Sequence, residues 1–240
     1  MADPYGRAIR DHHRGERTEP LIDRDGEESR VHDIEAYYFG ERTPEEWFEP
    51  RVDGPLLDMG AGAGRDARYF QDRVDTVAID RSRHLVETMR ERGVEDARVG
   101  DMFTLREQFD RSRFGAALAI GSQLQLATSQ RALRRFLDDL AYVTTAEATV
   151  LLDGYDPERA VEAGVFAVRD DPEPGLAYRV YHSEYEGETG RTLLFRLFGV
   201  DALRDAVAEG PWSVVDSVAG PHDDDGDGVM WRALLEKPGR

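Results

Sequence analysis

The sequence predicts an α/β fold in which crossover helices join a mostly parallel sheet. From Pro55 onward, short apolar runs alternate with segments whose apolar residues recur at helical spacing. The run 114–120 has almost no polar residue, as a central strand covered on both faces requires. A chain of 240 residues with 40% hydrophobic residues is long enough for one large domain with a substantial core.

The first fifty residues are expected to form a cap or lid with one or two helices, separate from the main domain at 51–240. The first thirty are rich in charge, proline and glycine, which indicates an irregular segment. Val31, Ile34 and Tyr38 then recur at helical spacing. The segment 43–46 combines a capping threonine, a proline at the first helical position and a glutamate, which predicts a second, short helix.

Five short apolar runs are the predicted strands of the parallel sheet, and they cover 56–59, 76–80, 97–101, 114–120 and 148–153. Helices with apolar stripes separate them, centred near Phe70, Met89 and Phe136.

After Pro174 the apolar pattern changes to a period of two. Tyr178, Val180 and His182 are expected on one face of a strand that pairs with 192–198, which makes an antiparallel hairpin insertion at about 175–199. A helix at 200–207 and two final strands at 212–218 and 229–235, joined by an acidic turn, complete the chain.

The main chemical signal is a glycine-rich turn, Asp58-Met59-Gly60-Ala61-Gly62-Ala63-Gly64, placed between the first strand and its helix. Glycines let the backbone bend sharply and approach a ligand closely, and the amides at the start of the helix are free. Such a turn is typical of a site for a nucleotide or a carboxylate.

Two acidic residues end the next two strands. Asp80 lies 20 residues after Gly60, at the end of the second strand. At this sequence separation a carboxylate can accept both hydroxyls of a ribose. Asp101 can accept a hydrogen bond from the amine of adenine, and Met102 offers an apolar wall. Because ligands of open parallel sheets bind at the carboxyl ends of the strands, the three features together predict one site.

In these motifs the sequence resembles the class I S-adenosylmethionine-dependent methyltransferases. It more closely resembles members from halophilic archaea that are similar to small-molecule methyltransferases. The segments 57–64, 78–82 and 99–103 resemble the family's glycine signature, ribose-binding strand end and adenine-binding segment. The segment 114–126 is similar to its fourth-strand motif, although Gly115 stands where the family often has an aspartate.

The resemblance implies a seven-stranded, Rossmann-like sheet in the order 3-2-1-4-5-7-6 with strand seven antiparallel. It implies S-adenosylmethionine as cofactor, S-adenosylhomocysteine as product, and in-line methyl transfer to a small-molecule acceptor. The residues expected to bind the cofactor are Asp58, Gly60, Ala61, Gly62, Gly64, Asp80, Arg81, Asp101, Met102 and Gly121.

The acceptor site is harder to predict, and no catalytic residue is assigned, because in-line transfer depends mainly on positioning. The candidate acceptor-binding residues are Tyr37, Tyr38, Gln123, Asp153 and His182. Asp153, Tyr155 and His182 are candidate bases for a protonated acceptor, with a turn cap, a core aromatic and a surface histidine as the structural alternatives.

Two other functions fit the glycine turn. A nicotinamide-dependent oxidoreductase would use Gly62, Gly64 and Ala67 as its fingerprint, but Asp58 would then repel the pyrophosphate of the dinucleotide. A non-catalytic S-adenosylmethionine-binding protein would keep the same binding residues.

Amino-acid composition restricts the binding partners and the cellular location that we expect. A net charge of −18 disfavours nucleic acid. The absence of cysteine excludes disulfides and thiolate zinc sites. We expect a cytoplasmic protein with no leader segment, no membrane contact and no metal. The run 223–228 imitates a calcium loop without its closing glutamate, and His12 and His13 lack a third ligand.

The acid excess and the presence of one lysine, Lys237, among 31 basic residues predict a halophilic protein. The melting temperature is expected to rise steeply between about 0.1 and 3 M KCl, because salt shortens the Debye length from about 10 Å to below about 3 Å and screens self-repulsion. Thermal melts in KCl and, as a control for solute exclusion, in sucrose check this. A melting temperature independent of KCl would contradict it.

Overall fold

The structure is a computed structural model that describes residues 2–42, 46–219 and 228–237, in which thirteen strands form two sheets. In chain order the strands are β1 Ile22–Asp25, β2 Glu28–Val31, β3 Leu56–Met59, β4 Thr76–Asp80, β5 Ala97–Val99, β6 Phe114–Ala119, β7 Thr144–Tyr155, β8 Val168–Asp170, β9 Ala177–Tyr185, β10 Glu188–Thr189, β11 Leu193–Leu197, β12 Ser213–Ala219 and β13 Met230–Glu236.

The main sheet has the strand order β12-β13-β7-β6-β3-β4-β5. Numbered in chain order, these seven strands run 3-2-1-4-5-7-6, and β13 is antiparallel to both its neighbours while β3 to β7 are parallel. The expected mostly parallel seven-stranded sheet is therefore confirmed. The structure differs from the expected sheet in two details. The pairing register shifts between β6 and β7 and between β12 and β13, and a second, six-stranded sheet is present.

Helices connect and flank the strands. They are α1 Pro4–Arg14, α2 Arg65–Phe70, α3 Arg83–Glu91, α4 Leu105–Gln108, α5 Gln130–Val143, α6 Pro157–Glu162 and α7 Val200–Val207, with a π-helix at Glu35–Phe39 and 3₁₀ segments at Glu49–Arg51, Met102–Thr104 and Gln123–Ala127. One face of the main sheet packs on α5 and α7 through residues such as Leu57, Phe136 and Leu203. The opposite face packs around Phe48, Phe70 and Leu118.

The second sheet is built around β9, which pairs antiparallel with β1, β8, β10 and β11. The expected hairpin is confirmed, since Leu193–Leu197 pairs with the first half of β9. The expectation of an irregular segment over the first thirty residues is wrong. These residues form α1, capped by Asp3, and the hairpin β1–β2, which completes the sheet from the far end of the chain.

The buried face of β9 is the opposite of the expected one. Burial alternates along the strand so that Ala177, Arg179, Tyr181, Ser183 and Tyr185 are covered. The alternation of Tyr178, Val180 and His182 marks the more exposed face instead. The sequence misleads here because the covered face carries an arginine and a serine.

The expected helix over Val31 to Tyr38 forms only in part. Val31 ends β2 and is 62% exposed, whereas Ile34 is buried before the π-helix begins. The cap and proline at 43–45 lie outside the described residues, as does most of the acidic turn at 223–228. No helix of the described part of the chain is long and apolar enough to span a bilayer.

Candidate functional site

The glycine turn lies at the carboxyl edge of the sheet, between β3 and α2. Gly60, Gly62 and Gly64 have φ values of +69°, +57° and +78°, a conformation that side chains disfavour. The amides of Gly60 and Ala61 both donate to the carbonyl oxygen of Ile79, at 2.9 and 3.1 Å. The next strand therefore holds the turn in place, beside the point where the strand order reverses between β3 and β6.

Two of the candidate acceptor-binding side chains lie directly on this turn. A Cβ at Gly60 would come within 2.5 Å of Gln123 Oε1, and a Cβ at Gly62 within 2.8 Å of Tyr38 Cε1. Any larger residue at either position would displace these side chains. The structure thus places Gln123 and Tyr38 against the glycine turn.

Asp80 joins the end of β4 to the same turn. Its Oδ2 accepts a hydrogen bond from the Gly62 amide at 3.2 Å and its Oδ1 one from the Ser82 amide at 2.8 Å. Burial raises the pKa of Asp80 to about 6, against the opposing effect of these two amides. The carboxylate is therefore positioned beside the turn and close to its titration range at neutral pH.

Asp58, the acid before the first glycine, is 4% exposed and lies inside the sheet edge. One of its oxygens, Oδ2, has no hydrogen-bond partner, while the Ala67 amide of α2 donates to the side chain. Burial, with smaller contributions from the charges of Asp66 and Asp80, raises its pKa well above the ordinary value. A buried oxygen without a donor is costly unless a ligand supplies one.

The ends of β4 and β5 are brought together by an ion pair. Arg81 Nε lies 3.5 Å from Asp101 Oδ2, and the other oxygen of Asp101 accepts the amide of Phe103 at 3.0 Å. Met102 is 5% exposed and packs in the core beneath this edge. Asp101, Arg81 and Met102 therefore lie at one corner of the site.

Asp153 shapes the loop that follows β6. It is 3% exposed, and its two oxygens accept the amides of Gly121 at 2.9 Å and Ser122 at 2.7 Å. Burial raises its pKa to about 6. Because both oxygens already bind backbone amides, Asp153 positions the loop that carries Gly121 and Gln123. This is the turn-capping alternative considered for it.

The sequence does not reveal a polar chain that ends on the glycine turn. The Tyr38 hydroxyl forms a short hydrogen bond with that of Tyr5, which lies 3.4 Å from His32 Nε2. His32 Nδ1 lies 2.9 Å from Asp23 Oδ2, and Ser183 donates to the other oxygen of Asp23 at 2.8 Å.

The arrangement allows one direction of proton transfer. In the tautomer whose Nδ1 donates to the carboxylate of Asp23, Nε2 can accept from Tyr5. Burial raises the pKa of both Tyr5 and Tyr38, which keeps the phenols protonated as donors. Hydroxyl, imidazole and carboxylate can therefore pass a proton away from the glycine turn. The signal was absent from the sequence because Asp23 and His32 meet only through the second sheet.

Of the other candidate acceptor-binding residues, Tyr37 lies near the polar chain and His182 lies away from it. The Tyr37 ring lies 4.9 Å from the His32 ring, centroid to centroid, so Tyr37 borders the polar chain. His182 lies on the opposite face of β9 from Ser183, and its Nε2 is 3.2 Å from Glu184 Oε1. The structure therefore does not bring His182 to the other candidates, and it occupies the surface position considered as its alternative.

The N-terminal segment is fixed to the site by Arg92. Its guanidinium donates to the carbonyl oxygens of Tyr38 at 3.1 Å and Ala63 at 2.7 Å, which joins the π-helix to the glycine turn. Within the described residues, no group of three or more histidine and acidic side chains could hold a metal ion.

Comparison with known proteins identifies the fold. A family model described as a methyltransferase domain matches residues 57–141, from β3 to α5. No curated protein matches the chain in sequence.

Solved structures give the same fold over a larger part of the chain. A SAM-dependent methyltransferase from Bacteroides fragilis, in complex with S-adenosyl-L-homocysteine, is 20% identical with a TM-score of 0.78, covering 98% of this chain and 94% of that one. A Burkholderia thailandensis 1,6-didemethyltoxoflavin-N1-methyltransferase with its substrate and S-adenosylhomocysteine is 18% identical with a TM-score of 0.54, covering 77% and 71%. At these identities the likeness shows a shared fold.

The buried carboxylate of Asp58 predicts a gain in stability on neutralisation. A raised carboxyl pKa means that its contribution to stability falls as pH rises above the ordinary value, so Asp58→Asn is expected to melt higher than the wild type at pH about 8. We expect about 2 to 4 °C, the change that 1 kcal/mol makes in a domain of this size. The difference should shrink at pH about 5.

The matched control is Asp139→Asn, whose carboxylate lies 2.7 Å from Arg106 and should lose stability when neutralised. Melting curves of the wild type, Asp58→Asn and the control variant at pH about 8 and about 5 test this prediction. An Asp58→Asn protein that melts below the wild type at pH 8 would contradict the assignment of Asp58 as a destabilising buried charge.

Proposed function

We propose that the protein is an S-adenosylmethionine-dependent methyltransferase that acts on a small-molecule acceptor. The observation that carries the proposal is the glycine turn with Asp58 buried beneath it and Asp80 hydrogen-bonded to Gly62. The match of residues 57–141 to a methyltransferase domain supports it. So does the fold shared with a structure that contains S-adenosyl-L-homocysteine.

The residues at the turn fit the proposed cofactor. When bound, S-adenosylmethionine supplies an electrophilic methyl group on its sulfonium. Asp58 has a buried oxygen without a donor, which the ammonium of the methionine moiety would satisfy. Gly60, Gly62 and Gly64 let the backbone turn where a side chain would clash with its neighbours, and Ala61 would approach the cofactor through its backbone. Asp80 would accept the ribose hydroxyls.

The remaining cofactor-binding residues are assigned by position. Asp101 and Arg81 are paired at the ends of β5 and β4, where Asp101 would accept the adenine amine and Met102 would contact the ring. Gly121 lies on the loop that Asp153 holds, across the sheet edge from Asp80. Several buried carboxylates at this edge favour a cationic ligand over the pyrophosphate of a dinucleotide.

On the acceptor side, the chain's own residues position the acceptor and exclude water. Gln123 and Tyr38 cover the glycine turn, and Tyr37 borders them. An acceptor that loses a proton can pass it through Tyr38 and Tyr5 to His32, which Asp23 orients. Asp153 acts through the loop, and His182 has no part in this arrangement.

The second sheet is the proposed cover of the site. The N-terminal segment 1–50 and the hairpin at 175–199 would form the cap of a methyltransferase domain at 51–240, and they join through β1 and β9. The charge of −18 supports the further proposal that the protein works in the cytoplasm of a halophile, where salt screens its surface.

Cofactor binding is tested by calorimetry with S-adenosylmethionine, S-adenosylhomocysteine and oxidised dinucleotide. The first two should bind and the dinucleotide should not. Asp80→Ala should weaken both by about 1.5 to 3 kcal/mol, about tenfold to more than a hundredfold, through lost charge-assisted hydrogen bonds. Asp75→Ala, at the exposed start of the same strand, is the control and should bind like the wild type. Unchanged affinity in Asp80→Ala would place the ribose elsewhere.

The raised pKa of Asp80 predicts a pH dependence. Because the ionised carboxylate accepts two hydroxyls, affinity for S-adenosylhomocysteine should be full above pH about 6 and decline as pH falls through that value. Binding isotherms from about pH 8 to 5 check this in the wild type and Asp80→Ala. A wild-type decline no larger than that of Asp80→Ala would show that Asp80 does not cause it.

Measuring methyl transfer distinguishes an enzyme from a non-catalytic S-adenosylmethionine-binding protein. With cell extract as the source of acceptors, the wild type should convert S-adenosylmethionine to S-adenosylhomocysteine, whereas a Gly62→Val protein should not, because the side chain clashes with Tyr38 in a backbone conformation that valine disfavours. Binding without product over a broad range of extracts would favour the non-catalytic alternative.

A further inference from the structure

Arg179 is a buried cation without an acidic partner. It lies on the covered face of β9 and is 5% exposed. Its Nε donates to the carbonyl oxygen of Phe166 at 2.9 Å, but its Nη2 is buried with no hydrogen-bond partner. Among the described residues, no carboxylate oxygen lies within 4.0 Å of the guanidinium, although Asp23 interacts with it electrostatically over a longer distance.

The other arginines of the second sheet behave differently. Arg24 and Arg169 pair with carboxylates of the same sheet, and Arg196 pairs with Asp171 just after β8. The chain carries 49 acidic residues, so acids are plentiful. Neighbouring tyrosines and the charge of Asp23 raise the pKa of Arg179 despite its burial, so the guanidinium stays charged. The unmet requirement is the hydrogen bond of Nη2, since a buried N–H without an acceptor is costly.

Stacking accounts for only part of the arrangement. The guanidinium carbon lies 4.7 Å from the centre of the Tyr181 ring and 5.7 Å from that of Tyr155. Cation–π contacts use the faces of the guanidinium. The Nη2 hydrogens lie in its plane, where no acceptor is present.

Arg179 lies on the acceptor side of the proposed site. Tyr155 ends β7, so the guanidinium faces the carboxyl edge that carries the glycine turn. From the other side, Tyr37 interacts electrostatically with Arg179, and Tyr181 does so with Tyr38, which lies on Gly62. The guanidinium is thus held between the second sheet and the site.

We propose that Arg179 binds the carboxylate of the methyl acceptor, and that this acceptor is a small aromatic monocarboxylate. The inference rests on the proposed function, since it names the acceptor class of the same site. A guanidinium offers a carboxylate two parallel N–H donors. One guanidinium without an ion pair matches one negative charge, and the charge of Asp23 disfavours a dianion.

The surroundings of Arg179 explain why the acceptor is aromatic. Tyr155, Tyr181, Phe166 and Phe195 form one cluster around its stem, with Tyr181 and Phe195 stacked at 5.7 Å between centroids. An aromatic ring bound against this cluster would gain stacking contacts there.

The test compares 4-hydroxybenzoate with its uncharged analogue 4-hydroxybenzamide. Calorimetric titrations are run on the full chain with and without saturating S-adenosylhomocysteine. The wild type should bind the carboxylate at least about tenfold more tightly than the amide. Arg179→Met and Arg179→Lys should lose most of this preference, while their affinity for S-adenosylhomocysteine stays within about twofold of the wild type.

Arg169→Met on the neighbouring strand β8, an exposed arginine paired with Asp25, is the matched control and should keep the preference. Equal binding of the two probes, binding of neither, or a preference that survives in Arg179→Met would overturn the inference. Failure of the wild type to bind S-adenosylhomocysteine would instead overturn the proposed function, and the titrations without it would still decide the role of Arg179.

Discussion

The carbonyl oxygen of Ile79 is the constraint on which the site depends. It accepts the amides of both Gly60 and Ala61, so the glycine turn after β3 takes its shape from the end of β4. The carboxylate of Asp80, the next residue, accepts the amide of Gly62, so a third amide of the turn is hydrogen-bonded to the end of β4. Three amides of the turn are thereby fixed to one strand end, and every other feature of the site is arranged around them.

Around this turn the protein buries charge that its fold does not neutralise. Asp58 carries an oxygen without a donor on one side, and Arg179 carries an N–H without an acceptor on the other. Folded proteins usually satisfy buried polar groups. Asp58 and Arg179 are two exceptions of opposite sign, and the proposals above assign them to a cationic cofactor and an anionic acceptor.

The sequence was most informative where packing and local geometry impose the same pattern. The strands β3, β4 and β6 are apolar because both faces are covered, and the glycine turn needs left-handed backbone angles, so both are predictable. The segment α1 to β2 was not, because α1 has few apolar residues and packs against α3, while β1 buries a charged residue, Asp23. Its stabilising partners lie about 160 residues away in β9, beyond any local pattern.

That distance in sequence has a consequence for synthesis on the ribosome. An isolated two-stranded hairpin is marginally stable in water, so β1 and β2 leave the exit tunnel without the partner that stabilises them. The nascent chain exposes the edge of β1, with Asp23 lacking Ser183, until β9 has been translated. The main sheet closes later still, because β13, inserted between β7 and β12, is made after both. Neither sheet can therefore close before a strand distant in sequence has been translated, which favours slow folding.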